Sequence, residues 1–135
     1  MSAKLMEEVE RRVDTAWPPK PRTMPSGAAV AALMAAMLGM LALAVVNVFT
    51  AASKPFNTWV HDVGKLWMPG AAGIGPYSGK ETIALLVWLG AWVLLHYALR
   101  GREMRLSTWL VVFLAGVGVA TTLIWPPVFE YLAGH

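Results

Sequence analysis

The sequence predicts an all-α integral membrane protein. It has three transmembrane helices, the second and third a tight hairpin, plus an N-terminal amphipathic helix and an external interfacial helix. Three observations carry this prediction. Of 135 residues, 57% are hydrophobic and only 14% charged, against about 25% charge in a soluble domain. Asp, Glu, Lys and Arg are absent from residues 23–53, 82–99 and 106–129, and a hydrocarbon core of roughly 30 Å needs about 17–25 residues of helix. A chain this short has too little material to surround three such helices inside a soluble core.

Residues 1–26 read as a cytoplasmic amphipathic helix followed by a proline-rich arm. Leu5, Val9, Val13 and Trp17 recur every fourth residue, while Glu7, Glu8, Arg11 and Arg12 lie off that stripe. The mixed charge suits docking on protein better than insertion into anionic lipid, which favours a Lys/Arg-rich polar face. "WPPKPRTMP" ends the helix, because proline donates no helical hydrogen bond and restricts the residue before it. The acidic residues Glu7, Glu8, Glu10 and Asp14 precede the first apolar run, so a cleaved signal peptide is not expected.

Residues 27–52 form the first span. Two lines of small residues at spacing four run along it, Ala28/Ala32/Ala36 and Ala31/Ala35/Gly39. Such lines let helix backbones approach closely where no hydrophobic effect acts between helices. Met34, Met37 and Met40 add adaptable surface, and Asn47 near the outer end is assigned to a neighbouring helix or headgroup water.

Residues 53–79 are an external loop containing the interfacial helix. Phe56, Trp59, Val60, Val63, Leu66 and Trp67 share one face, with Asn57, Thr58, His61, Asp62 and Lys65 on the other. Pro55 suits a first turn and Pro69-Gly70 a stop. The glycine-rich "GAAGIGPYSGKE" lacks the spacing and the Ser/Thr of a phosphate loop. Ser78 with Glu81 fits a capping box instead, opening the second span at 80–100. The turn at 101–106 is short enough to require the hairpin with the third span, 107–125. Gly116 and Ala120 continue the small-residue packing positions there. Pro126-Pro127 stops that helix, leaving 126–135 as an external C-terminus.

Absence of cysteine excludes disulfides, thiolate metal sites and cysteine nucleophiles. A net charge of +3, scattered along the chain, does not suggest nucleic-acid binding. No carboxylate lies within the charge-free stretches of the spans, so an enzyme is not expected, nor is a metal site or an intrinsic cofactor. The residues that ask for a role are Trp88, Trp92 and His96, one stripe at spacing four on the second span. At 1.5 Å per residue the two indoles lie within ~3 Å of the bilayer centre and His96 ~8–9 Å toward the cytoplasm. Interfacial tryptophans belong at the edges, and lipid tails satisfy no indole N–H. The stripe therefore reads as a face buried against protein or against a haem, chlorophyll-type pigment, carotenoid or quinone at a subunit interface. His96 is read either as an interfacial histidine bonded to a neighbour or water, or as an axial ligand or hydrogen-bond partner of such a group.

The expected function is a non-catalytic accessory subunit of a larger, bioenergetic membrane complex, partnered by other integral membrane subunits and lipids. The alternative is a membrane anchor that helps hold a haem, pigment or quinone through Trp88, Trp92 and His96. Its general plan resembles the three-helix anchor subunits of succinate dehydrogenase, although their histidine-containing motifs are not matched here. A small oligomeric transporter is third, with Asn47, Thr121 and Thr122 as its polar groups.

Lys and Arg fix the expected orientation. With three spans, eight fall on the side of the N-terminus and three, Lys54, Lys65 and Lys80, on the other. The positive-inside rule places the N-terminus in the cytoplasm and the C-terminus outside, in a bacterial inner membrane. A reporter fused after His135 is expected to behave as external. A cytoplasmic signal from that fusion would reverse the topology and move residues 53–79 to the inner face.

Overall fold

The computed structural model describes residues 2–16 and 25–134, with backbone alone for 13–16. It is all-helical, with no strand among the described residues. The proline-rich arm over 17–24 and the terminal His135 lie outside the described residues.

Helix α1 spans Ala3–Ala16. Glu7 pairs with Arg11 at 3.0 Å and Glu8 with Arg12 at 3.7 Å, each acid one turn N-terminal to its base, the favourable order on a helix. Leu5, Met6 and Val9 are each more than half exposed.

Helix α2, Gly27–Ala52, is the organising element. Its entry is fixed by the chain between the later helices. The Gly27 N–H donates to Arg102 O at 3.0 Å. The Ser26 hydroxyl donates to Met104 O and accepts from Met104 N–H, both at 2.7 Å. The Gly27 bond occupies an N–H that a helix N-terminus otherwise leaves orphaned. A side chain at Gly27 would collide with the Leu99 and Arg102 carbonyls.

At the far end Ser53 alone separates α2 from α3, Lys54–Lys65. Ser53 is extended (φ −135°, ψ 110°) and its hydroxyl accepts from Phe56 N–H at 3.4 Å. Asn57 Nδ2 donates back to Thr50 O at 3.2 Å, holding the corner. A short 3-10 turn at Ala71–Gly73 follows, flanked by Gly70 and Gly75 at positive φ. It is tied to α3 by the 3.1 Å contact of His61 Nε2 with Ala71 O.

Helix α4 runs Tyr77–Leu99 and α5 Leu106–Ile124. With α2 they make three helices long and apolar enough to cross a membrane. The expected capping box is not formed. Ser78 lies inside α4, fully buried against Gly64, and its hydroxyl has no hydrogen-bond partner among the described residues. The helix opens at Tyr77, three residues before residue 80, and Gly79 sits directly against the Val60 carbonyl of α3.

The tight hairpin of the second and third spans is also corrected. The turn at residues 100–105 is short, and Gly101 takes φ +82° there. Yet α4 and α5 pack mainly on α2, not on each other. On α2, Gly39 meets the Trp88 Cβ of α4, while Met37 lies against Gly116 of α5. Those positions are two residues apart, ~200° around a helix, so the two partners flank α2 from nearly opposite sides. The inserted α2 entry, bonded to the turn itself, wedges them apart.

Ala31 and Ala35 on the Gly39 line are fully buried, as is Ala120 of α5, whereas Ala28 and Ala32 are exposed. Beyond Trp125 the chain forms α6, Pro126–Ala133, where a plain terminus was expected. The prolines that cannot continue α5 sit in the first turn of α6, where no N–H is required. Helix α6 packs on α2 and α5.

Two substitutions test this packing. Gly79→Ala places a Cβ against the Val60 carbonyl and is expected to lower unfolding stability in detergent by about 1–3 kcal/mol, the usual cost of overpacking. Gly90→Ala in the same helix meets nothing within 4 Å and should be neutral or slightly stabilising. Equal effects at both sites would overturn the close α3–α4 contact. Gly39→Leu should likewise destabilise by separating α2 from α4 at Trp88. Gly118→Leu on α5, which meets open space, is the comparison, and an unfolding midpoint unchanged in both would remove Gly39 from the interface.

Candidate functional site

Helix α4 carries two groups of side chains, one along its middle and Arg100 end, one at its start. The middle group begins with Trp88, Trp92 and His96. Trp88 is 41% and Trp92 45% exposed, and His96 is half-buried. The stripe is not continuous in its contacts. Trp88 presses its Cβ toward Gly39 and lines a recess shared with α2.

Trp92 and His96 instead join Tyr97. The Trp92 and His96 ring centroids are 6.1 Å apart, and His96 meets Tyr97 edge-on at 6.0 Å. The Arg100 guanidinium lies 4.9 Å from the Tyr97 ring centre, within cation–π range. Among the described residues, neither indole N–H of Trp88 and Trp92 and neither ring nitrogen of His96 has a hydrogen-bond partner. By contrast Trp67, on the loop before α4, donates to Thr82 Oγ1 at 3.0 Å.

A cluster at the start of α4 was not singled out from the sequence. Lys80 Nζ donates to Asn47 Oδ1 of α2 at 2.8 Å and lies 5.4 Å from the Tyr77 ring centre. Glu81 is exposed beside it. Asn47, Tyr77, Lys80, Glu81, Leu43 and Ile124 line a recess of about 200 Å³. A second recess of about 430 Å³ continues along α2 and α4, sharing Leu43 and Glu81 and reaching Trp88.

The signal for this cluster was available only through antiparallel pairing. Asn47 stands near the end of α2 and Lys80 near the start of α4, so antiparallel contact brings them level. Read separately, Asn47 has a neighbouring helix or headgroup water to bond and Lys80 opens the second span, and nothing local pairs the two.

The α3 segment adds an exposed ion pair. Lys65 Nζ lies 2.6 Å from Asp62 Oδ1, and that hydrogen bond and charge hold the Asp62 carboxyl below its ordinary value. Exposed pairs of this kind contribute little to stability. Thr121 and Thr122 donate to the carbonyls of Val117 and Gly118 in their own helix, both at 2.8 Å. Among the described residues, no three His, Asp or Glu gather as metal ligands. No protein-family model, curated protein or solved structure matches the chain.

Proposed function

We propose that the chain is a non-catalytic accessory subunit of a larger, bioenergetic membrane complex, held by α2, α4 and α5 in a bacterial inner membrane with its N-terminus cytoplasmic. The observation that carries this reading is the pair of uncovered indoles on α4. Trp88 and Trp92 stand near the middle of a span, almost half exposed, with no acceptor for either N–H among the described residues. Lipid tails supply none, whereas a neighbouring subunit supplies both carbonyl acceptors and packing.

The arrangement of the helices supports the same reading. Helix α2 is flanked on opposite sides, which leaves the outer faces of α4 and α5 available to neighbours. The chain's other polar groups are either satisfied within it or gathered at the ends of the helices, which favours a scaffold over a transporter. Thr121 and Thr122 are used in their own helix.

A second reading has one observation in its favour. The Trp92–His96–Tyr97 ring cluster presents an imidazole whose nitrogens have no hydrogen-bond partner among the described residues, which leaves one open to a haem, pigment or quinone. It makes the chain an anchor that shares a cofactor with a partner subunit.

One experiment separates the two. The chain is purified at native expression from membranes in mild detergent, its partners are identified and the absorption spectrum is recorded. Trp88→Ala and Trp92→Ala are expected to weaken retention of this subunit, each removing up to about 2–5 kcal/mol of packing, while His96→Ala leaves the spectrum intact. Loss of a haem or chlorophyll band in His96→Ala with the subunit still bound would transfer the assignment to the anchor. A wild-type chain that purifies alone, or unchanged retention in both Trp variants, would overturn the accessory-subunit reading.

A further inference from the structure

The charged cluster at the start of α4 and the apolar recess along α2 and α4 adjoin each other, sharing Leu43 and Glu81. Lys80 is half-buried, and its ammonium is held by the neutral Asn47 amide and the Tyr77 ring. Among the described residues no carboxylate lies within ion-pairing distance of it. Glu81 is likewise without an ion-pair partner there, though it borders the same space. A cation and an anion thus stand side by side, each unpaired, at the mouth of a recess walled by Ala36, Gly39, Met40, Leu43, Leu85 and Trp88.

From Glu81 to Trp88 the recess runs ~10 Å at 1.5 Å per residue. It is an open groove of about 430 Å³ walled by apolar side chains, long enough to take part of an extended hydrocarbon chain. Charge selects the occupant's other end. A phosphate belongs on a half-buried, unpaired ammonium, and a primary ammonium belongs on the adjacent carboxylate. Both stand in the first turns of α4, at headgroup level when that helix spans a bilayer.

We propose that this recess is a binding site for a zwitterionic aminophospholipid of the phosphatidylethanolamine type. The phosphate sits on Lys80, the primary amine donates to Glu81, and an acyl chain lies along Met40, Leu43 and Leu85 toward Trp88. Asn47 and Tyr77 position the lysine. Phosphatidylcholine lacks the N–H donors that Glu81 requires, and phosphatidylglycerol lacks the cation. The proposal rests on α2, α4 and α5 spanning a membrane.

The test uses the full chain in nanodiscs of equimolar phosphatidylethanolamine, phosphatidylcholine and phosphatidylglycerol, with retained lipid read by native mass spectrometry. The wild type is expected to retain phosphatidylethanolamine about threefold over either competitor, the scale of one partly exposed charge contact. Glu81→Gln should abolish that preference. Lys80→Gln should lower retention of all three, and Lys80→Arg should restore it, showing that the charge matters and the fold is intact. Glu103→Gln, at the opposite end, serves as the neutral control.

Equal retention of the three lipids by the wild type, or selectivity that survives Glu81→Gln, overturns the site. So does a photo-crosslinker at Met40 that captures a protein helix in native membranes instead of lipid. Alkaline extraction of the same chain separates the two levels. Release from native membranes would sink the membrane reading itself, whereas a chain that stays embedded without lipid selectivity loses only this site.

Discussion

Close approach of backbones to α2 is the constraint on which the structure depends. Were these helices in a membrane, no hydrophobic effect would draw one to another, and association would rest on van der Waals contact and a few hydrogen bonds. Such contact is short-ranged, and a gap of about 0.5–1 Å forfeits a quarter to a half of it. Gly27 against the Leu99 and Arg102 carbonyls, Gly39 against Trp88, and Gly116 against Met37 all remove the atoms that would hold the helices apart. The same device recurs where Gly79 of α4 meets Val60 of α3 and Gly64 of α3 meets Ser78 of α4. The buried side chains accordingly are small, mostly Ala and Val.

That economy explains the rest of the architecture. Helix α2 has small residues on more than one side, so it can accept α4 and α5 at once and lie between them. Much of the outward surface of α4 and α5 is then left apolar and open, including Leu94, Val111 and Leu114. Polar bonds between elements collect at the two ends, with Ser26, Gly27, Arg102 and Met104 at one and Asn47, Lys80, Trp67 and Thr82 at the other. This division is the one expected of helices long and apolar enough to cross a membrane.

The two groups on α4 differ in what they ask of their surroundings. Among the described residues the indoles of Trp88 and Trp92 lack an acceptor, and they offer broad apolar area, as a protein or ring-system contact would use. Among the same residues Lys80 and Glu81 lack counter-charges and border an apolar recess, as a small dipolar headgroup with a chain attached would use. Trp88 belongs to both, since its Cβ closes on Gly39 while the residue borders the recess.

The sequence by itself determined that the chain is helical and where its long apolar helices lie. Charge-free gaps defined three long apolar helices because a charge within one is costly. The alternation of apolar and polar residues marked α1 and α3, since helical periodicity is a local property. Trp88, Trp92 and His96 were legible as one stripe for the same reason. Tertiary structure decided what local pattern could not carry. The short 101–106 link implied that α4 and α5 pair, but link length bounds only how far apart helix ends lie, and the α2 entry bonded to that link keeps the helices on separate faces. Ser78 and Glu81 matched a capping pattern, but the approach of α3 at Gly79 buried the serine inside the helix. Pro126 and Pro127 ended one helix and also began α6, an outcome set by packing on α2 and α5. Lys80 and Asn47 are 33 positions apart, and only the antiparallel contact of α2 with α4 makes them one site.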